Sequence, residues 1–522
     1  MESIVEAVFW HAQQDPERPA LFFGPQVLSY GQLATDVTRF AAALQSSGIQ
    51  AGERVALFLA NSPAFITAYL GTQLAGGIVV LINTQYRKVE LSHILNDAGV
   101  RLCITSAPGA EEIQVLAVPT LKMLVLVDAS QPTFMAATYE YTSFEDFVQR
   151  GAQTAELSES AKLAQSLPMP QSTDPAVIGY TSGTTGRSKG ALLLHSNLLA
   201  NSRAVTNAWH WTQQDRLLLT LPLFHTHGLM VGVHGTLLMG ASLILKAKFD
   251  AVDVLSTLHN DASITLFFGV PTMYSRLLTE AEHQGAPEHA LRLYVSGSAP
   301  LSPQVFKDFE RILGQRILER YGMTETIMNL TNPYEGERRP GTVGWPFPGQ
   351  EARVVDVQSR RVLPPDEIGE IEVRGPHVFA GYWQRPEATA EVLAADGWFK
   401  TGDLGWYSQD GYYTITGRAR ELIISGGYNI YPREIEDVLE LHPDIAEVAV
   451  IGMPDADMGE QVVAVIVAQA GCVPDQASII AFCREQLASY KKPRRIVVVD
   501  RLPRNALGKV QKHILAAQLP SS

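Results

Sequence analysis

The chain has 522 residues, 46% of them hydrophobic and 18% charged, which is too apolar for disorder and long enough for three or four structural units at about 150 residues each. Its 41 Lys and Arg stand against 54 Asp and Glu, and a formal charge of -13 gives no electrostatic footing for nucleic acid or an anionic membrane surface. Three cysteines, Cys103, Cys472 and Cys483, form neither an even set nor a C-x-x-C pair; this argues against a disulfide framework or structural zinc and suits a cytoplasmic protein.

The opening MESIVEAVFW carries Glu2 and Glu6 where an export signal needs basic residues. From Tyr30, the spacing of Leu33, Val37, Phe40 and Leu44 predicts a helix that Ser46-Ser47-Gly48 stops. Val55 to Leu59 reads as a strand. Ser62-Pro63 then reads as an N-cap and first helical residue of a helix to Ala75, and Ile78 to Ile82 as the next strand. The uncharged run from Val55 to Tyr86 is interrupted by Asn61, Pro63, Gln73 and Gly76-Gly77, which argues for a buried strand-helix-strand unit rather than a membrane span.

A helix around Val89 to Leu95 and strands at Arg101 to Thr105 and Leu121 to Val127 follow. After a polar stretch near Ala152 to Thr173, strands are expected at Arg216 to Leu221, Ser242 to Leu245, Ile264 to Val270 and Leu291 to Val295, each leading into a helix. This alternation predicts an α/β fold, a large layered N-terminal domain with parallel-rich sheets. Beyond Gly417 the texture changes to a short helix through Glu434, Val438 and Leu441, strands at Val448 to Ile451 and Val462 to Val467, and a helix at Ile479 to Leu487. A small α+β C-terminal domain is expected, with residues 1–419 and 420–522 as the two units and the active site between them.

The strongest local signal runs from Tyr180 to Gly190 as YTSGTTGRSKG, between a strand ending near Tyr180 and an apolar run from Ala191. Three Gly, five Ser or Thr hydroxyls, Arg187 and Lys189 suit a loop that wraps polyphosphate with backbone N–H groups, hydroxyls and charge. It lacks the G-K-[ST] ending of a Walker loop, which disfavours a P-loop kinase.

At this loop the sequence resembles the adenylate-forming superfamily of acyl-CoA synthetases, adenylation domains and luciferases, and the resemblance spans essentially the whole chain. Seven further motifs fall in the family order: Phe224-His225, Ser296-Gly297-Ser298-Ala299-Pro300, Tyr321-Gly322-Met323-Thr324-Glu325, Trp398 to Asp403, Gly417-Arg418, Gly426 to Ile430, and Pro503 to Lys509. The resemblance implies condensation of a carboxylic acid with ATP and Mg2+ to an acyl-adenylate and pyrophosphate, then transfer of the acyl group to the thiol of CoA. A fatty or aryl acid ligase, or a freestanding adenylation enzyme loading a carrier protein, is the alternative.

Residue by residue, the resemblance implies that Thr181, Ser182, Gly183, Thr184, Thr185, Gly186 and Lys189 hold the phosphates and that Ser298, Ala299, Pro300, Tyr321, Gly322 and Met323 line the nucleotide site, with Tyr321 stacked on adenine. Thr324 touches the α-phosphate, while Glu325 and Thr181 supply oxygens to Mg2+, a hard cation. Asp403 and Arg418 hold the ribose. Lys509, in Arg504-Asn505-Ala506-Leu507-Gly508-Lys509, is expected to offset the repulsion between the carboxylate and the α-phosphate, with Lys512 a solvated neighbour. Arg420, where the family more often has Lys or Asp, is the expected hinge. Gly426 and Gly427 would line a narrow tunnel for the pantetheine arm of CoA.

For the acid, relatives that take fatty or aromatic acids usually present an apolar residue at the position of Arg276, in Phe268 to Arg276. A cation in an acyl pocket is expensively desolvated unless the substrate brings an anion, so the pattern points to a dicarboxylate, and the segments around it resemble those of malonyl-CoA synthetases. Arg276, Ser298, His227 and Met328 are therefore expected around the acid. His225 is expected to gate the passage; no third ligand near His225 and His227 supports a zinc site.

Overall fold

The computed structural model describes residues 1–127, 139–156, 168–181, 188–425, 428–455, 458–487, 491–505 and 508–519. Among these residues the backbone forms four sheets. Two carry the large N-terminal domain. The first runs in the order Trp345–Pro346, Leu330–Thr331, Ile317–Tyr321, Leu293–Ser296, Leu266–Gly269, Arg216–Leu219, Ser242–Leu245, Pro19–Phe23 and Gln26–Ser29, parallel from Ile317–Tyr321 through Pro19–Phe23. The second centres on the parallel strands Pro175–Thr181, Ile78–Leu81, Arg54–Phe58, Val100–Ser106, Met123–Val127 and Glu140–Ser143. Ligands of such sheets bind beyond the carboxyl ends of the strands. Here those ends present Tyr321, Ser296, Gly269, Thr181 and Leu81.

Local sequence explains the individual elements. Ser62 accepts the N–H of Phe65 and Pro63 opens the helix Pro63–Leu74, in which every residue from Phe65 onward is buried; a helix apolar all round belongs inside a core. A Cβ at Gly71 would lie 2.7 Å from the ring of Phe40, so this Gly lets it sit against the helix Tyr30–Ser46. The run that could be mistaken for a membrane span is thus a core unit, and among the described residues no helix is long and apolar enough to cross a membrane. Leu266–Gly269 passes through Val270 and Pro271 into the helix Pro271–Gln284, as the spacing predicts.

Three features depart from the expectations. Residues 351–418 contain a four-stranded antiparallel sheet, Glu351–Val355, Gly369–Arg374, Phe399–Tyr407 and Tyr413–Arg418, which the alternating pattern did not announce. After the strand Arg216–Leu219, residues His227–Val233 form a π-helix that continues as the α-helix His234–Met239; such irregular turns concentrate at functional sites. In the C-terminal domain the helix is Pro432–Leu439, and its buried apolar side chains are Ile435 and Leu439; Leu441 lies past its end and is 64% exposed.

The C-terminal domain is built on the hairpin Ile445–Asp455 with Gly459–Ala468, flanked by Ile423–Ser425 and Arg495–Val498 and covered by the helices Pro432–Leu439 and Gln476–Gln486. Cys483 lies in its core, and Cys103 in the core of the large domain.

Burial holds four histidines of the large domain neutral. His195 and His225 are pushed down to about 4, and His234 and His377 to about 3, mainly by loss of water. Below pH 6.5 the unfolded chain binds protons that the folded chain refuses, so stability should fall as pH falls through the 6.5 to 4 window. At pH 5 the loss is about 2 kcal/mol per histidine relative to neutral pH. Denaturant midpoints of the large domain's transition at pH 7, 6 and 5 should fall in step; a flat midpoint would mean these rings are not buried and neutral.

Candidate active site

Tyr321 ends the strand Ile317–Tyr321, and its O–H donates to Asp403 Oδ2. Asp403 and Arg418 face each other across the strands Phe399–Tyr407 and Tyr413–Arg418, with Arg418 Nε 2.9 Å from Asp403 Oδ1. Asp403 holds Arg418 above the ordinary arginine range, and burial followed by the same carboxylate pushes the Tyr321 phenol well up. The three expected nucleotide residues therefore form one paired cluster. They offer an aromatic face beside a carboxylate able to accept ribose hydroxyls.

The segment after Tyr321 closes tightly on itself. A Cβ at Gly322 would lie 2.0 Å from the carbonyl of Ile327, and Ile327, a β-branched residue, is held at φ 57°. This turn brings Thr324 against the strand Pro175–Thr181, where a Cβ at Gly179 would meet Thr324 Cγ2 at 2.6 Å. Glu325 is buried, its Oε1 accepts the O–H of Tyr382 at 2.9 Å, and burial raises its carboxyl. One buried carboxylate with an oxygen to spare fits a hard divalent cation, which would take Glu325 and Thr181 as ligands and draw charge from the phosphates. Lys189 sits with its ammonium 5.2 Å from the ring centroid of Tyr382. Ser182, Gly183, Thr184, Thr185 and Gly186 lie outside the described residues.

His225, with Phe224, Thr226, Met230, Gly179, Tyr180 and Thr324, lines a narrow cavity of about 20 Å³. Its Nε2 has no partner, and as a neutral ring it can flank a passage to Thr324 without adding charge. His227 stacks on Phe268 at 5.9 Å between ring centroids, is buried, and has no partner at either ring nitrogen. Ser298 occupies the left-handed region at φ 70°, a strained turn that, with Ala299 and Pro300, ends the strand Leu293–Ser296. Met328 is buried, and its carbonyl accepts Asn201 Nδ2 at 2.8 Å.

Arg276 is exposed on the helix Pro271–Gln284, whereas the buried cation close to His227 is Arg320. That residue is 3% exposed, Nε and Nη2 have no hydrogen-bond partner, and a Cβ on Gly297 would lie 2.5 Å from its guanidinium carbon. Desolvation pushes it down to about 9, and burial, followed by the charge of Arg320, lowers His227 well below the ordinary imidazole range. Partnerless hydroxyls of Ser296 and Thr326 are buried on the same strand ends and loop. Buried polar atoms are ordinarily paired, so such a group of orphans marks a site that a polar ligand completes.

Lys509 belongs to the C-terminal domain. Its N–H donates to Asn505 Oδ1 at 3.0 Å, and a Cβ at the neighbouring Gly508, which has φ 75°, would lie 2.9 Å from Thr272 Oγ1 in the first turn of the helix Pro271–Gln284. The lysine loop is thus seated against the large domain. Lys512 is not a solvated neighbour: it is 19% exposed and paired with Glu436 at 2.6 Å and Glu421 at 3.6 Å. Arg420 falls in the short 3-10 turn Ala419–Glu421, and Gly426 and Gly427 lie outside the described residues.

Residues 8–383 match the AMP-binding enzyme family and residues 434–509 the AMP-binding enzyme C-terminal domain. The chain belongs to this family and is an ATP-dependent, AMP-forming acid–CoA ligase. It is 35% identical to a long-chain-fatty-acid–CoA ligase of Bacillus subtilis, over 97% of this chain and 92% of that protein. It is 33% identical to a malonate–CoA ligase of Arabidopsis thaliana, over 99% and 88%. The structure of ATP-bound MatB from Rhodopseudomonas palustris superposes with a TM-score of 0.87 at 37% identity, covering 98% of both chains. The chain is thus similar to malonate–CoA ligases and MatB as well as to ligases of other acids.

If Lys509 serves only the attack on phosphorus, Lys509→Ala should abolish acid-dependent pyrophosphate release while supplied acyl-adenylate and CoA still give thioester. Equal loss in both assays would remove the lysine from its assigned step.

Proposed function

We propose that this enzyme activates malonate, with methylmalonate as a close competitor, and transfers it to CoA. The observation that carries the reading is the buried guanidinium of Arg320, whose Nε and Nη2 have no hydrogen-bond partner, with a neutral His227 and a glycine at its side. One carboxylate of malonate lies at Arg320 while the other is left near Thr324. The second carboxylate attacks the α-phosphorus of ATP with Mg2+ at Glu325 and Thr181, the bond to pyrophosphate breaks, and Lys509 offsets the negative charge as two anions close. The CoA sulfur then attacks the acyl carbon and AMP leaves. His225 flanks that entry.

In this scheme residues 1–419 form the nucleotide- and acid-binding unit and 420–522 the mobile one, hinged at Arg420. The free cysteines, two of them buried, suit a reducing cytoplasm.

Arg320→Leu should lower kcat/KM for malonate about 30-fold or more, since an anion left without its buried partner loses about 2 to 5 kcal/mol and about 1.4 kcal/mol is tenfold. Activity on butyrate should rise relative to malonate. Arg276→Ala should change little. Initial rates with malonate, methylmalonate, sulfoacetate, butyrate, octanoate and 4-coumarate test the reading. Wild-type preference for octanoate or 4-coumarate would reject it and leave the ligase assignment standing; methylmalonate is harder to separate, because one methyl is worth about 1 to 3 kcal/mol.

A further inference from the structure

The segment Phe379 to Trp383 joins the two elements that handle phosphate. Toward the Tyr321–Met328 turn, the N–H of Phe379 donates to the carbonyl of Glu325 at 2.9 Å and the O–H of Tyr382 donates to the Glu325 carboxylate at 2.9 Å. Toward the strand Lys189–Leu194, the N–H of Ala380 donates to Leu192 at 2.9 Å and that of Trp383 to Gly190 at 2.7 Å, while Gly381 and Tyr382 pair with Leu192 and Ala191. Tyr382 is fixed from behind, its own N–H donating to Thr389 Oγ1 at 2.9 Å and its ring packed edge-on against Phe379 at 5.0 Å.

One side chain therefore meets a carboxylate at its hydroxyl and an ammonium at its ring face. We propose that Tyr382 is a positioning residue that sets Glu325 and Lys189 at a fixed separation, so that the metal-bearing and phosphate-bearing sides of the nucleotide site are aligned before ATP arrives. The two contacts are chemically separable. The hydroxyl leaves one oxygen of Glu325 for a cation and restrains the carboxylate's rotation; the ring holds a cation through its quadrupole without neutralising it, so the ammonium keeps its charge for phosphate. Both contacts precede the choice of acid, and the inference rests on the readings of Glu325 as the metal carboxylate and of Lys189 as a phosphate residue.

The test is ATP binding by calorimetry, with and without Mg2+ and with no acid present, on Tyr382→Phe, Tyr382→Leu and Glu325→Gln, each checked for an unchanged thermal transition. The Phe variant keeps the ring. It should bind Mg2+-free ATP within about twofold of wild type and lose about tenfold of the affinity that Mg2+ adds, the scale of one hydrogen bond to a charged group. The Leu variant should lose the same Mg2+ increment and, in addition, several-fold of the Mg2+-free affinity through Lys189. In turnover, Phe should raise the KM for Mg2+ with a smaller change in kcat at saturating metal. A Phe variant with the wild-type Mg2+ increment beside a Glu325→Gln variant that has lost it would overturn the proposal. So would equal weakening of ATP by Phe and Leu in all conditions. A Glu325→Gln variant that keeps the full increment would instead remove the metal assignment beneath it.

Discussion

A guanidinium kept out of water without a carboxylate paired to it is the constraint on which this part of the large domain depends. Removing a charge from water is costly unless a partner replaces the solvent. Arg320 sits within a strand whose neighbours in the sheet are already hydrogen-bonded, and the space beside it exists because Gly297 carries no side chain. The adjacent Glu319 does not supply the missing charge. Its Oε1 accepts the N–H of Leu301 at 2.8 Å, and burial pushes its carboxyl up to about 8. In the proposed reading the cation is left for a ligand, close to Gly297 and the left-handed turn at Ser298.

The nucleotide side follows the opposite electrostatic rule. Asp403, Arg418 and Tyr321 are already paired, so they present acceptors and an aromatic face without demanding a counter-charge. Neutral ribose and adenine suit such a surface; an anionic acid suits the unpaired one. The two clusters meet at adjacent residues, Arg320 and Tyr321, at the end of one strand. In the proposed scheme acid and nucleotide react at the closed turn that Gly322 permits, which carries Thr324 and Glu325.

Much of this architecture was legible because its signals are local. The helix at Tyr30 and the strand-helix-strand unit from Val55 carry period and capping residues together, and the Gly, Ser and Thr loop carries its composition in eleven residues. The antiparallel sheet of residues 351–418 was not legible because its strands bury acids: Glu370 and Glu372 are paired with Arg353 and Arg360, so a core strand reads like a surface. Arg276 drew attention through its place in a helix whose facing side the sequence does not fix. The better signal was Glu319-Arg320, two charges inside the strand ILERY, where burial on both faces makes each charge an exception. Tyr382 gave no signal of its own, since its partners lie 57 residues before it at Glu325 and at Lys189 across the sheet.

The interface between the domains shows why a lysine near the end of the chain can serve a site built by the other domain. Lys512 ties Glu421, just after the expected hinge, to Glu436 on the helix Pro432–Leu439, and Glu436 also accepts the N–H of Val450 from the central hairpin. The post-hinge segment is thereby part of the small domain's own framework. A rotation would be confined to the few residues before Glu421 and would carry the lysine loop as a rigid appendage. At its far end, that loop meets the helix Pro271–Gln284 where a side chain on Gly508 would crowd Thr272. In the proposed scheme a framework stiff near the hinge and seated by a glycine at the tip would turn a small rotation into a large displacement of Lys509, so that one cation could enter and leave a site whose other charges stay fixed.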